Sequence, residues 1–260
     1  MNPYPDATPS QVRQFAADGF LVVTGAIDAE ERAALRTMGD EMMRRPGDQA
    51  NDWDWRRGEA LAERQFRIVQ SGVDKVYPWI TVSRFREWAA RFGGALMGEE
   101  MAFWYEQFLG KPPGIGAPTP WHQDEGYWGR TYAGHGVTCW TAFHRVGPEN
   151  GCMHFVRGGH RTLLEHRHPP EMASDLLLCD VPPDAEVVAV PIEEGSVTFH
   201  HARTPHMTTA NCSGHWRLAL TQHFRNPACA QLPEDHYPWR VFVSQRVSAD
   251  SPSPLPRGTP

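Results

Sequence analysis

Between residues 101 and 225 the chain is a succession of short apolar runs interrupted by glycine, proline and asparagine. The runs fall at 102–109, 137–146, 153–156, 185–190, 196–200 and 218–224. Most are too short for helices and lack helical spacing, so they read as strands. Strands of this kind bury their apolar faces by stacking one sheet on another. The pattern therefore predicts a sandwich or double-sheet jelly roll. Ten tryptophans and 23 prolines suit a β-rich fold with long loops.

Helices are expected on the N-terminal side. Thr8-Pro9-Ser10-Gln11 reads as an N-cap, a proline at the first helical position and a capping-box partner, with Val12, Phe15 and Ala16 as the apolar stripe and Gly19 as the stop. Phe20-Leu21-Val22-Val23 reads as a short buried strand. Asp28-Ala29-Glu30-Glu31 opens a second helix carrying Ala34, Leu35, Met38 and Met42, and a third is expected near 83–97. The stretch 43–63 is polar, unpatterned and holds Trp53 and Trp55, as a lid would. The expected class is mainly β with flanking helices (α+β), a cupin-like jelly roll or double-stranded β-helix. One domain is expected over 1–250, with a disordered tail at 251–260.

Bulk properties narrow the function. A formal net charge of −6 and no Lys/Arg-rich run disfavour a nucleic-acid or acidic-membrane partner. Five widely spaced cysteines without a Cys-x-x-Cys pair argue against a disulfide framework and against a structural zinc site. No signal peptide or membrane-length apolar stretch is evident, so a cytoplasmic enzyme of a small-molecule substrate is expected, as a monomer or homodimer.

The chemistry-bearing residues are Trp121-His122-Gln123-Asp124, then His206 and, eleven residues on, Arg217. Two histidines and a carboxylate can occupy one face of an Fe(II) ion and leave the other positions open. With 13 histidines and 31 acidic residues, a His-x-acid spacing is expected by chance, so it carries no weight alone. On a strand, His122 and Asp124 would point to one face and Gln123 away. His206 is expected just beyond the end of the 196–200 strand. Arg217, at the start of a later strand, offers a guanidinium suited to a carboxylate.

Five ordered motifs then carry a resemblance. They are Lys111-Pro112-Pro113-Gly114, Pro120-Trp121-His122-Gln123-Asp124, Gly147-Pro148-Glu149-Asn150-Gly151-Cys152-Met153, Gly158-Gly159-His160-Arg161, and His206-x10-Arg217 with Asn211-Cys212-Ser213 between. Together with the Asp18-Gly19-Phe20 opening, they resemble the phytanoyl-CoA dioxygenase-like family of Fe(II)/2-oxoglutarate oxygenases over residues 9–225. The resemblance implies His122, Asp124 and His206 as iron ligands and Arg217 as the anchor of the distal 2-oxoglutarate carboxylate. It implies Thr208, Trp128 and Lys111 as further co-substrate contacts, O2 as oxidant and ascorbate as the reductant used in vitro. Halogenating relatives replace the carboxylate ligand with a small residue, so Asp124 favours hydroxylation or a related oxidation.

Where relatives carry an acidic pair, this chain has His144-Arg145. These two, with Trp53 and Trp55, are the expected substrate contacts, and Tyr105 is a further aromatic candidate. Glu125 and Glu149 are expected to be solvated. Two other classes stay open at this point: a zinc hydrolase using the same three ligands, and a non-catalytic jelly-roll binding protein.

Overall fold

Local sequence sets the first elements. The helix Pro9–Asp18 (α1) begins at the Thr8/Gln11 capping box and stops at Gly19, whose backbone is left-handed with φ +81°. The strand Phe20–Val23 (β1) follows, then the helix Ala29–Arg44 (α2). In the computed structural model, residues 3–44, 52–53, 66–70, 77–129, 134–169, 176–229 and 237–240 are described. Most of the lid-like stretch at 43–63, with Trp55, falls outside them, as do the side chain of Trp53 and the tail at 251–260.

The chain continues through β2 (Asp52–Trp53), β3 (Arg67–Gln70), α3 (Arg84–Met97), β4 (Ala102–Lys111), β5 (Thr119–His122), α4 (Asp124–Trp128), β6 (Gly136–Ala142), β7 (Met153–Val156), β8 (His166–Arg167), β9 (Leu178–Cys179), β10 (Val187–Val190), β11 (Val197–His201), β12 (His206–Thr208) and β13 (Arg217–Arg225). One sheet has the order β1-β11-β6-β13-β4-β3-β2, a second β10-β7-β12-β5, β8 and β9 form a separate pair, and every strand pairing among the described residues is antiparallel. This is the expected jelly roll. The 137–146 run is strand only as far as Ala142, because the chain then bends toward the Gly147–Gly151 turn and Val146 makes an isolated bridge with Ile192.

Alternation on the large sheet explains where the core sits. Val137, Cys139, Val197, Phe199, Leu218, Leu220 and Phe224 face the helices and join Phe15, Leu35, Met38, Phe85, Trp88 and Phe92 in one buried cluster. Trp88 lies edge-on to Phe199 at 5.6 Å, and Phe92 stacks on the same ring at 5.0 Å. Aromatic side chains of this size dominate the energetics of a core. The opposite face of the sheet meets the small sheet through Phe20, Trp140, Ala142, Met153, Phe155 and Ala219. Phe20 stacks on Phe155 across the gap at 4.7 Å. Thr138, His200, Arg217 and His223 are polar positions on this inner face.

Gly19 ties the helical layer to that site. Its carbonyl accepts from His201 N at 2.9 Å and from the Thr204 hydroxyl at 2.6 Å, which fixes the turn leading into β12. A Cβ at Gly19 would lie against the His160 ring and 2.8 Å from Thr204 Oγ1. Left-handed backbone and overpacking each cost an alanine here, so Gly19→Ala is expected to lose about 2–4 kcal/mol in urea denaturation. A loss below about 0.5 kcal/mol would contradict the tight junction.

Candidate active site

Cross-strand register brings the two histidines together. His206 opens β12, which lies between β5 and β7, and its direct partner on β5 is His122. The two imidazoles stand 4.1 Å apart, centroid to centroid. His206 thus lies beyond the end of β11, as expected, and there opens a strand of its own. Asp124 arrives differently from the expectation: β5 ends at His122, and Asp124 is the first residue of α4.

Gln123 makes that break. Its side chain is buried, donates to Thr162 O at 2.7 Å and to Arg203 O, and accepts from Leu164 N at 2.7 Å. Its backbone N–H goes to His166 Nε2 at 3.0 Å instead of to a sheet neighbour.

His122 Nδ1 is 2.8 Å from Pro120 O, and His206 Nδ1 is 2.9 Å from Thr204 O. A carbonyl can only accept, so both protons sit on Nδ1 and both Nε2 lone pairs are free. These nitrogens face Asp124 Oδ1 at 3.9 and 3.7 Å. Burial holds both imidazoles below their ordinary pKa and therefore neutral at pH 7, despite the nearby carboxylate. For Asp124, burial acts upward, but the hydrogen bond from His200 favours the carboxylate, and the group lies well below its usual range. Three ligand atoms of the two-nitrogen, one-oxygen kind lie within 4.8 Å of one another, so this donor set fits a divalent iron.

The second oxygen of Asp124 is engaged elsewhere. Oδ2 accepts from Thr138 Oγ1 at 2.5 Å and lies 3.1 Å from His200 Nε2. His223 Nδ1 is 2.9 Å from the same Thr138 hydroxyl. None of these three supports was singled out beforehand as a partner of the carboxylate, because their common feature is cross-strand register rather than sequence spacing.

A buried cation lies on the same sheet. β13 presents Arg217, Ala219, Thr221 and His223 at alternate positions. Arg217 is 1% exposed, lies over the Trp140 ring at 5.7 Å, and pairs in register with Lys111. Its Nε and Nη1 have no hydrogen-bond partner, and no ion pair to it occurs among the described residues. Burial pulls the guanidinium down to about 9, which leaves it charged at pH 7. A surface position for Arg217 is thereby excluded, and an uncompensated buried charge calls for an anion.

The neighbours of Arg217 are fixed by their own hydrogen bonds. Lys111 Nζ donates to Ala117 O at 2.7 Å and Thr209 O at 2.8 Å, and burial followed by the charge of Arg217 holds it well below its ordinary value. Gly151, at φ +93°, passes so close that a Cβ would stand 3.3 Å from Arg217 Nε. Asn211 Nδ2 donates to Lys111 O and His215 O, and its Oδ1 accepts from Ser213, which pins the turn leading to Arg217.

Other expected residues have defined engagements. Thr208 Oγ1 donates to Thr119 Oγ1 at 2.8 Å, and Trp128 Nε1 donates to Tyr105 OH at 2.8 Å. His144 lies with Nδ1 2.9 Å from Arg145 O and accepts Leu218 N–H on Nε2, so both ring nitrogens serve the backbone. Arg145 pairs with Glu149 and Glu193 at the surface. Glu149 is exposed as expected, but Glu125 is not. Fully buried, it accepts from Arg203 Nε and Nη2, Gly134 N and Tyr237 OH, and so ties three segments to the helix that begins at Asp124.

Two antiparallel sheets enclosing a His/Asp/His site and a buried arginine define a class, the non-haem iron oxygenases that use a 2-oxo-acid co-substrate. The family model for phytanoyl-CoA dioxygenase (PhyH) matches residues 15–219. The chain belongs to this family and is an Fe(II)/2-oxoglutarate-dependent dioxygenase. Among solved structures, it is similar to EvdO2 from Micromonospora carbonacea var. aurantiaca, with 28% identity, a TM-score of 0.77 and coverage of 92% of this chain and 99% of EvdO2. EvdO2 has also been solved with 2-oxoglutarate. The carbocyclase SnoK from nogalamycin biosynthesis is 25% identical with a TM-score of 0.72, over 99% of this chain and 96% of SnoK. Peroxisomal phytanoyl-CoA dioxygenase of Mus musculus is 23% identical over 239 residues, covering 85% of this chain and 69% of the mouse protein.

Two outcomes follow for stability. Glu125→Ala strands Arg203, whose side chain is 27% exposed, and is expected to cost about 3 kcal/mol, the low end for a broken buried pair. His166 donates from Nδ1 to Leu164 O and accepts Gln123 N–H, and burial pushes it from 6.5 down to about 4. A depressed folded-state pKa gives stability that is full above 6.5 and lost as the pH falls through 4. Melting temperatures measured across that window should fall for the wild type and fall less for His166→Gln.

Proposed function

We propose that His122, Asp124 and His206 bind Fe(II), that Arg217 binds the distal carboxylate of 2-oxoglutarate, and that the enzyme hydroxylates or otherwise oxidises an unactivated C–H bond. The substrate class is a small, polar metabolite or natural-product intermediate. The observation that carries this reading is the buried, charged guanidinium of Arg217, without an acidic partner among the described residues, on the sheet that also supports Asp124. A zinc hydrolase would leave that charge without a role.

When bound, iron and 2-oxoglutarate supply O2 activation: one oxygen atom leaves in succinate as CO2 is released, and the other enters the substrate as a hydroxyl. The protein's own residues hold and shield these groups. His122 and His206 present neutral Nε2 atoms, Asp124 presents Oδ1, and Arg217 offers unpartnered charged N–H donors to a carboxylate. Phe20, Trp140 and Phe155 pack between the sheets and help to keep water from the floor of the site. Trp128 and Thr208 border the same region as further co-substrate contacts.

Asp124 supports oxygenation over halogenation because the chain supplies its own third ligand. Similarity to SnoK, an enzyme of nogalamycin biosynthesis, supports a role in secondary metabolism. Five free cysteines suit a reducing, cytoplasmic setting, and no described helix is long and apolar enough to cross a membrane.

With Fe(II), ascorbate and air, the purified protein is expected to convert 2-oxoglutarate to succinate. His206→Ala should abolish that turnover. Arg217→Met should raise KM for 2-oxoglutarate roughly 100-fold, the loss of a charge-assisted bidentate contact. Undiminished succinate formation by His206→Ala would contradict the metal assignment, and an unchanged KM in Arg217→Met would contradict the anchor.

A further inference from the structure

We propose that His200, Thr138 and His223 are positioning residues that make Asp124 a one-oxygen ligand; this rests on the iron-site reading above. The three lie in one cross-strand row: His200 on β11 is the register partner of Thr138 on β6, and Thr138 is the partner of His223 on β13. All are at most 3% exposed. On the other side of this sheet the neighbouring residues Cys139, Phe199 and Phe224 are apolar core. A row of three polar side chains in such a setting needs a polar task.

Proton accounting defines that task. The Thr138 hydroxyl has one proton, and at 2.5 Å from Asp124 Oδ2 it donates that proton to the carboxylate. The hydroxyl must then accept from His223 Nδ1, 2.9 Å away, so the His223 proton sits on Nδ1. His200 lies 3.1 Å from the same oxygen through Nε2 and donates to it. The bare nitrogens that remain, His200 Nδ1 and His223 Nε2, are the ones with no hydrogen-bond partner. The His223 ring is held in place by stacking on Tyr105 at 4.2 Å and by the edge of Trp128 at 5.6 Å.

The two carboxylate oxygens are thereby made unequal. Oδ2 receives both donors. Oδ1 faces the Nε2 atoms of His122 and His206, whose protons are committed to Pro120 O and Thr204 O. Three lone pairs converge there with no proton between them, an arrangement that a cation relieves. Chelation through both oxygens would require Oδ2 to leave its donors. Held by one oxygen, a six-coordinate ion keeps three positions free, enough for a two-point co-substrate and O2. A chelating Asp124 would remove one of them.

The test uses metals that bind without turnover. Mn(II) affinity is measured by electron paramagnetic resonance, coordination by the visible spectrum of the Co(II)-loaded protein, and folding by near-ultraviolet circular dichroism. Thr138→Val keeps the shape and removes the donor. It is expected to weaken Mn(II) binding roughly 10- to 100-fold and to change the Co(II) spectrum, while Thr138→Ser restores both. His223→Phe keeps the stacked ring, removes the proton that orients Thr138, and should shift both readouts in the same direction. Wild-type affinity and spectrum in a folded Thr138→Val protein would overturn the proposal. If that variant does not fold, unchanged binding by His223→Phe would do so. A wild-type protein that binds neither metal would overturn the metal site itself, and this proposal with it.

Discussion

The carboxylate of Asp124 is the point on which the structure turns. One oxygen faces two neutral imidazoles on the small sheet, and the other is tethered to a polar row on the large sheet. The side chain therefore spans the two layers of the jelly roll, and the position of each layer defines the site. His122 and His206 come together because β5 and β12 pair directly. Thr138, His200 and His223 come together because β6, β11 and β13 are neighbours. The helical layer stiffens the second group from behind through Trp88, Phe92 and Phe199.

The co-substrate end follows the same logic. Alternation along β13 places Arg217 and His223 on one face, so the candidate anchor and the candidate metal support share a single strand. The guanidinium of Arg217 is desolvated and has no acidic partner among the described residues, a costly arrangement for a charge. Asn211, Gly151 and Lys111 fix the backbone around this arginine through their hydrogen bonds and close packing.

Elements governed by local chemistry were legible in the sequence. The Thr8 capping box, the Gly19 stop, the apolar stripe of α3 and the strand Met153–Val156 lie where spacing predicts them. The jelly roll and the His/Asp/His grouping also followed from the strand pattern and the ordered motifs. What was illegible depends on tertiary contacts. The strand does not reach Asp124 because Gln123 is captured by Thr162, Arg203 and Leu164, residues distant in sequence. Glu125 looked solvated because Arg203 and Tyr237, its buried partners, lie 78 and 112 residues away. Nor did the sequence show that His144 accepts a backbone N–H and that Arg145 pairs with surface glutamates.

The central claim is that the triad and the buried arginine form one site for two ligands, a metal ion and 2-oxoglutarate. Anaerobic equilibrium binding of Fe(II) and then of 2-oxoglutarate, each quantified per chain, tests it most directly. The account predicts one Fe(II) per chain and one 2-oxoglutarate bound tightly only when the metal is present. Metal binding without any effect on 2-oxoglutarate affinity, or no stoichiometric metal at all, would contradict it.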